Sequence, residues 1–471
     1  MENFLSLQAN LQNGIRSVSM GVKLLLVCGL ALLMMIPALF VGGVVRDRTT
    51  REAEVIADVS GRVGGAQTFL GPVLAIPYTV PSTLPAQASS SGIYVVFPAR
   101  ASADVKATTE ERHRSLFKVP VFQADLKFDA FFDLTGVPAA APSHATLDWN
   151  QAEIVVGVSD PRGALTDADL EIGGKHLVLV PAEIAQHMAF GSGGSQLKLA
   201  LFGARVGEIA KPNSQFNAVS VLHFSGAQRL ALLAYGKTTK ATIDGGWPNP
   251  GFDGGFLPVQ QNVTASGFHA EWSVPFIARG VSAEGTEDSI SGLDATELGV
   301  SFVEVADPYQ SITRSLKYTP LFLGLVFLSY FILEAATGKR VHAAQYVLVG
   351  VAQIIFYLLL LSLAERIGFD LGFLVAGIAT VSLLSINAGW IFASRRQGWT
   401  AFAIFSPLYL LIYLLLRLED NALLVGAFAS FAAVAAAMYF TRSIDWYSPF
   451  AASTRVVSQA GPAAPRSSNA E

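Results

Sequence analysis

Leu24-Leu-Leu-Val-Cys-Gly-Leu-Ala-Leu-Leu-Met-Met-Ile-Pro-Ala-Leu-Phe-Val-Gly-Gly-Val-Val45 runs for 22 residues without a charge, between Lys23 and Arg46. About 20 apolar residues cross a bilayer as a helix, so the stretch predicts a transmembrane span. A cleaved signal peptide has an apolar run of only about 7–15 residues. The run therefore reads as an uncleaved signal anchor over 24–45, preceded by a short cytoplasmic segment, 1–23. Pro37 inside it is tolerable, because neighbouring helices satisfy the carbonyl it frees.

Runs of this kind return only from Tyr318 onward. The segments 318–336, 343–363, 371–393, 399–416 and 422–440 are each about one bilayer long. Short turns such as Ser394-Arg-Arg-Gln-Gly398 separate them. The expected fold is a multi-pass α-helical membrane protein of six spans. A large domain, 46–317, is inserted between the first span and the second, and 441–471 forms a mostly disordered cytoplasmic tail rich in Ala, Ser and Pro.

Composition agrees with this division. Of 471 residues 52% are hydrophobic and 14% charged, against about 25% charged in a soluble domain. The net charge of −4 gives no electrostatic footprint for nucleic acid. The single Cys28 excludes a disulfide scaffold and any zinc site built on several cysteines. Residues 46–316 hold 20 Lys and Arg against 28 Asp and Glu, while the remainder is net positive. An acidic soluble domain is thus tethered by a weakly basic membrane part.

Basic residues also set the expected orientation. With the N-terminus in the cytoplasm, the inner segments carry Arg16, Lys23, Lys339, Arg340, Arg395, Arg396, Arg442, Arg455 and Arg466. The outer turns carry only Arg366 and Arg417. Arg46, Arg48 and Arg51 oppose the bias locally, but they open a long domain, where the rule weakens. The insert is then extracytoplasmic, which in a bacterial cell means periplasmic, and both termini are cytoplasmic.

Arg46 to about Asp58 reads as a helix continuing out of the membrane. Beyond Gly64-Gly65 the pattern changes to period two. Gly92–Phe97, Leu126–Asp133, Ala152–Val158 and Ser195–Leu201 are strand-like, rich in β-branched or aromatic residues, and bounded by turn formers. Many short strands predict a β-rich, antiparallel sandwich or barrel-like domain.

Several strings touch on chemistry without completing it. Tyr235-Gly-Lys-Thr-Thr holds the end of a phosphate-binding loop, but Ala231 occupies the first glycine position. The simpler reading is a polar hairpin end. Asp167, Asp169 and Glu171 alternate as on a solvated strand face, and Ile172 replaces the glycine of a calcium loop. His269-Ala-Glu271 lacks the paired cysteines of a zinc deaminase. No catalytic, cofactor-binding or metal-ligating set is expected, so the chain is read as non-enzymatic.

In the membrane half, Tyr346, Gln353 and Tyr357 share a helix face by spacing, with Ser382 and Ser385 a similar pair on the next helix. Ala429, Ala433 and Ala437 form a small-residue stripe. Interhelical packing and hydrogen bonding explain such patterns; a polar pathway is the functional alternative. Glu334 is the only carboxylate inside an apolar run. It sits near the inner surface, where it can snorkel or pair with Lys339 or Arg340.

Six longer strings carry a family resemblance. They are Leu70-Gly-Pro-Val-Leu-Ala-Ile-Pro77, Trp247-Pro-Asn-Pro-Gly-Phe-Asp-Gly-Gly-Phe-Leu-Pro258, Ser266-Gly-Phe-His-Ala-Glu-Trp272, Asp307-Pro-Tyr-Gln-Ser-Ile-Thr-Arg-Ser-Leu-Lys-Tyr318, Arg340-Val-His-Ala-Ala-Gln-Tyr346 and Thr441-Arg-Ser-Ile-Asp-Trp-Tyr447. Together they resemble the CreD family of bacterial inner-membrane proteins over nearly the whole chain. The resemblance implies a multi-pass protein of cell envelope integrity, expressed under a two-component envelope-stress system and similar to proteins linked to colicin tolerance and β-lactam stress. It implies no catalytic residues.

The candidate functional residues follow from these strings and from the lone carboxylate. Trp247, Pro248, Pro250 and Phe252 lie in a turn-rich loop read as rigid, with exposed aromatics. Arg314 anchors the outer end of the second span, Glu334 and Gln353 lie within the bundle, and Asp445 and Trp446 lie at an interface belt. The expected partners are the lipid bilayer and a periplasmic or envelope protein, not nucleic acid. A transporter or lipid-handling protein using the polar face of the five-helix bundle is the alternative.

Overall fold

The computed structural model describes residues 20–442, apart from 82–89, 115–116, 138–140, 142–143, 184–196, 287–290, 303–307 and 418–421. It divides into two compact units, Met1–Arg48 with Ala306–Glu471, and Thr49–Val305.

The first unit is helical: α1 (Met20–Leu33), α2 (Met35–Arg62, whose part from Thr49 on belongs to the second unit), α3 (Pro308–Lys317), α4 (Thr319–Thr337), α5 (Ala343–Ile367), α6 (Phe369–Ile391), α7 (Arg395–Arg417) and α8 (Ala422–Thr441). Among the described residues five segments are long and apolar enough to cross a membrane: Gly21–Arg62, in which α1 and α2 are continuous, and α4, α5, α6 and α7. The interruption at Met34 lies just before Pro37, whose missing N–H leaves the Leu33 carbonyl without its helical donor. The extension of the first helix beyond Arg46 is as the sequence predicts, and α2 continues to Arg62.

Three boundaries differ from expectation. The sequence pattern ends the inserted domain at residue 317, but α3 groups with the membrane helices rather than with the strands. Its 10 residues carry Tyr309, Ile312 and Ser315 on a buried face, a pattern too short to register as a span. Ser394–Gly398 is not a turn. The reversal is completed by Ser394 with Ala393 at φ +45°, and helix-compatible Arg395-Arg-Gln starts α7 at once. Finally, α5 and α6 are joined by Gly368 alone, at φ +82°, where a side chain would be strained.

The second unit is a two-sheet β sandwich. One sheet has ten strands, with Gln67–Val80 at its centre between Arg229–Leu233, Glu153–Val158 and Ser90–Val96. The other has eight, in the order Gln260–Thr264, Gly267–Val274, Thr239–Gly245, Arg100–Arg114, Phe117–Asp133, Gln215–Ala227, Asp169–Ile172 and Lys175–Val178. Most pairs are antiparallel as expected, but Gln67–Phe69 runs parallel to Leu230–Leu232 and Ala101–Ala107 parallel to Thr239–Gly245. The expected strand at Ser195–Leu201 is displaced: among its described residues 197–199 are irregular, and the strand is Ala200–Arg205.

Gln67 to Ile76 are all buried, which is what a strand covered on both faces requires. Within this run Gly71-Pro72 has a job. The register against Glu153–Val158 shifts between Leu70 and Val73, a bulge that absorbs a proline without N–H. A Cβ on Gly71 would stand 2.6 Å from the Tyr235 ring. That ring packs edge-on to Phe128 at 5.5 Å, and its hydroxyl donates to the Ser102 and Asp129 carbonyls at 2.7 and 3.0 Å. Tyr235 thus fastens the sheets together. Phe69 against Phe224 (5.4 Å) and Phe122 against Phe302 (5.3 Å) complete the inter-sheet core.

The Gly236-Lys237-Thr238 string is therefore not a hairpin end but the crossover from one sheet to the other, Arg229–Leu233 to Thr239–Gly245. Its backbone is tied down by Lys237 N–H to Pro98 O (2.7 Å) and Gly236 N–H to Thr239 Oγ1 (3.0 Å). Asp169 and Glu171 do lie on the outer side of their strand, with Leu170 and Ile172 buried between them.

Tyr235→Phe leaves two buried carbonyls without their shared donor, a loss of about 1–3 kcal/mol. The unfolding transition of the full chain's β structure, followed by circular dichroism in detergent, should move down by about 2–4 °C per kcal/mol. Gly71→Val should do more damage. An unshifted Tyr235→Phe transition would show that the hydroxyl does not hold the sheets.

Candidate functional site

The helical unit encloses one fully buried carboxylate. Glu334, in the last turns of α4, has no exposed surface. A charge there is costly unless it is paired and hydrogen-bonded, and each oxygen is answered. Lys23 Nζ of α1 pairs with Oε1, which also accepts the Val341 N–H at 2.8 Å. Tyr346 of α5 donates its hydroxyl to Oε2 at 2.9 Å. Lys23 further donates to the Val341 carbonyl at 3.0 Å. Four chain segments meet at this one group.

The expectation that Glu334 snorkels or pairs with Lys339 or Arg340 is overturned. Lys339 instead caps the end of α6 by donating to the Phe392 carbonyl. The partner is Lys23, 311 residues earlier, which the sequence presents as the flank of an apolar run and as one of the inner basic residues. A cation bordering a span can turn inward when the bundle offers a carboxylate at its depth. That is the signal that was available.

From Glu334 a stripe of polar side chains runs along α5. Tyr346, Gln353 and Tyr357 do share one face, and all three are buried. Tyr330 of α4 packs on Tyr346 with ring centroids 6.4 Å apart and donates to the Leu384 carbonyl at 2.7 Å. The hydroxyls of Ser315 and Thr319 lie beside that of Tyr357, and Thr380 lies beside Tyr409 of α7. Ser385 donates back to Val381 O at 2.6 Å and Thr380 to Ala376 O at 2.9 Å. Among the described residues both amide atoms of Gln353 close no hydrogen bond, whereas the Tyr357 hydroxyl has Ser315 and Thr319, and the Tyr409 hydroxyl Thr380, as hydrogen-bonding neighbours. Beyond the stripe, Tyr309 of α3 donates to Glu365 at 2.9 Å, with Arg48 at 3.8 Å from the same carboxylate. The stripe thus lies between two carboxylates, each supplied with a tyrosine hydroxyl and a cation.

In the β unit, the segment 247–258 is built differently from the predicted loop. Trp247 is buried against Phe302 (6.2 Å), and Phe252 is half-buried against Phe268 and Trp272 (6.0 and 5.9 Å). The aromatics are core, not surface. Pro250–Gly254 is a strand on Glu297–Phe302, with Pro250 in its first position, and Pro248 is exposed before it. Asp253 accepts from Arg229 Nε at 2.9 Å and from Ser301, while Arg229 also reaches Glu297 at 2.7 Å. Burial pushes the Asp253 carboxyl up, but the Arg229 and Ser301 hydrogen bonds outweigh it and hold the group below its usual range. A Cβ on Gly299 would fall 2.0 Å from Asp253 Oδ1, so this close seat needs glycine. What the segment does expose is Leu257 (69%) and, just after it, Val259 (68%).

His269 faces Asp244 across the strand pair at 2.7 Å and Glu271 at 3.1 Å. The hydrogen bonds to Asp244 and then Glu271 raise its pKa above 6.5. Among the described residues no group of three or more His, Cys, Asp and Glu is placed to hold a metal ion. Arg314 lies in the last turn of α3, partly buried. Asp445 and Trp446 lie outside the described residues, as do the side chains of Ala429, Ala433 and Ala437.

Removing one member of a buried ion pair costs about 3–5 kcal/mol, because the other is left charged and unpaired. Lys23→Met and Glu334→Gln should each lower the helical unfolding temperature in detergent, and the double variant should lose less than the two added. Strict additivity would mean that the pair is not coupled. For His269, a raised folded pKa means stabilisation that is full below about pH 6.5 and lost as pH rises through the folded value. The stability gap between the wild type and His269→Gln should therefore be wider at pH 6 than at pH 9. A gap that widens with pH would refute the assignment.

The family model described as "Inner membrane protein CreD" matches residues 19–447. Among curated proteins the chain is similar to the inner membrane protein CreD of Escherichia coli (strain K12), with 30% identity over 431 residues, which is 89% of this chain and 92% of that one. The helical segments flanking the β unit accord with both findings, and the chain belongs to the CreD family of multi-pass inner membrane proteins.

Proposed function

We propose that the chain is a non-enzymatic protein of the cell envelope stress response that maintains envelope integrity through its β unit. In this reading α8 is a sixth span, both termini are cytoplasmic, and the β unit is periplasmic. The bias of Lys and Arg toward one set of short loops supports the orientation, and the 20 apolar residues of α8 support the sixth span.

One observation carries the partner role. Among the described residues Gln260–Thr264 is the end strand of its sheet, pairs only with Gly267–Val274, and is exposed at every residue. Val263 within it, and Leu257 and Val259 just before it, expose apolar side chains. A free edge with apolar side chains suits the addition of an extended segment from an envelope protein. A photocrosslinker at Leu257 or Val259 in living cells should capture such a protein, and deleting 46–316 should abolish stress tolerance. No captured protein, together with unchanged tolerance, would end this reading. Reporter fusions at Gly203, Gly338 and Asn421 should report outside, inside and outside.

A second reading, a transporter or lipid-handling protein, is favoured by the Gln353 amide, which closes no hydrogen bond among the described residues. Polar atoms within a membrane bundle are costly unless something engages them. Replacing Gln353 and Glu334 together should abolish function at normal protein level, and full activity in that double variant would remove the reading.

A further inference from the structure

Two cavities lie side by side between α6 and α7. One, of 640 Å³, runs from Asp370 past Gly377 and Val381 to Phe402; the other, of 650 Å³, runs from Phe402 past Gly389 and Gly398 to Arg395. They share Phe402 and so form one groove along the helix pair. Its floor at the second end is set by glycine, since a Cβ on Gly398 would stand 3.1 Å from the Ser385 carbonyl and 3.4 Å from Gly389 Cα. Both cavities are lined mainly by apolar side chains, among them Leu374, Ile378 and Ile386.

The two ends differ in charge. At the first, Asp370 is neutralised by Arg417 and accepts the Tyr413 hydroxyl at 3.1 Å. At the second, Arg395 and Ser394 line the cavity between Trp390 and Trp399, which are 73% and 72% exposed. Among the described residues no carboxylate pairs with Arg395, and its neighbour Arg396 adds to the same charge. A cation between two exposed indoles, at the mouth of an apolar groove in a membrane helix pair, matches an anionic headgroup followed by an acyl chain. We propose that this groove binds an anionic phospholipid, its phosphate at Arg395 and its chain along Phe402. The proposal is independent of the envelope role and of the orientation of the chain.

The test uses the full chain in phosphatidylcholine vesicles containing brominated phosphatidylglycerol or, in parallel, brominated phosphatidylcholine. The signal is the tryptophan emission lost in the Trp390→Phe/Trp399→Phe variant. At equal mole fraction, brominated phosphatidylglycerol should quench as though enriched about fivefold at the site. Arg395→Gln should abolish that preference, as should Ser382→Leu, which fills the cavity. Arg396→Gln, outside the lining, should keep most of it. Equal quenching by both lipids would overturn the proposal, as would equal loss in both arginine variants, which marks diffuse surface charge. Weak quenching by both lipids, with dimers crosslinked through Trp390→Cys, would also overturn it, because a second copy then fills the groove.

Discussion

A carboxylate inside a membrane bundle must bring its counter-charge with it, and the helical unit is arranged around that demand. Glu334 cannot be served from its own helix, because the residues one and two turns before it are Tyr330 and Phe327. Serving it draws in α1 through Lys23, α5 through Tyr346 and the α4–α5 link through Val341 N–H. Arg48, which faces Glu365, lies 25 residues beyond Lys23 along the same continuous helical segment, so the Lys23–Glu334 pair fixes the depth of its first part. Packing alone gives weak register in lipid, where the tails are as apolar as the helices. A single charged contact supplies the register that hydrophobicity cannot. Such a pair adds little net stability over apolar residues of the same size, so specificity is the better account of its presence.

The β unit solves the opposite problem. Its core is apolar and needs no ionic lock, but two sheets must be held at one spacing across crossovers that change sheet. Tyr235 does this from the crossover itself, with its ring in the core and its hydroxyl on two carbonyls of the facing sheet. Gly71 is the complementary requirement on the central strand, since any side chain there would occupy the ring's place. Leu70–Pro77 is thus explained as structure: a buried central strand, a seat for Tyr235, and a bulge that accommodates Pro72.

What was legible in the sequence follows from range. Span positions and the strand runs Gly92–Phe97, Leu126–Asp133 and Ala152–Val158 rest on local signals that survive folding, and they fall on the strands Ser90–Val96, the second half of Phe117–Asp133 and Glu153–Val158. The shared face of Tyr346, Gln353 and Tyr357 is likewise a property of one helix. The pairing of Lys23 with Glu334 is not, nor is the burial of Trp247 and Phe252, because both depend on elements distant in the chain. The Trp247–Pro258 string looks like a loop by composition, with three prolines and three glycines in twelve residues. Its strand exists because Glu297–Phe302 supplies an open edge and Gly299 leaves room for Asp253. Turn propensity lost there to a tertiary partner that no local window contains.

The uneven treatment of polar groups within the bundle separates structure from function. Around Glu334 every donor and acceptor is matched, which is how a chain behaves when stability sets the choice of residue. Two turns along the same face, Gln353 leaves both amide atoms unmatched among the described residues. An apolar side chain of similar size there would avoid a desolvation cost of about 1–3 kcal/mol per group in a protein core, and more in lipid. A sequence able to satisfy a buried carboxylate from four segments does not lack the means to satisfy an amide. Local rules broken without a visible structural return are where function is to be sought, and among the described residues of this stripe the break falls on Gln353 rather than on the ion pair.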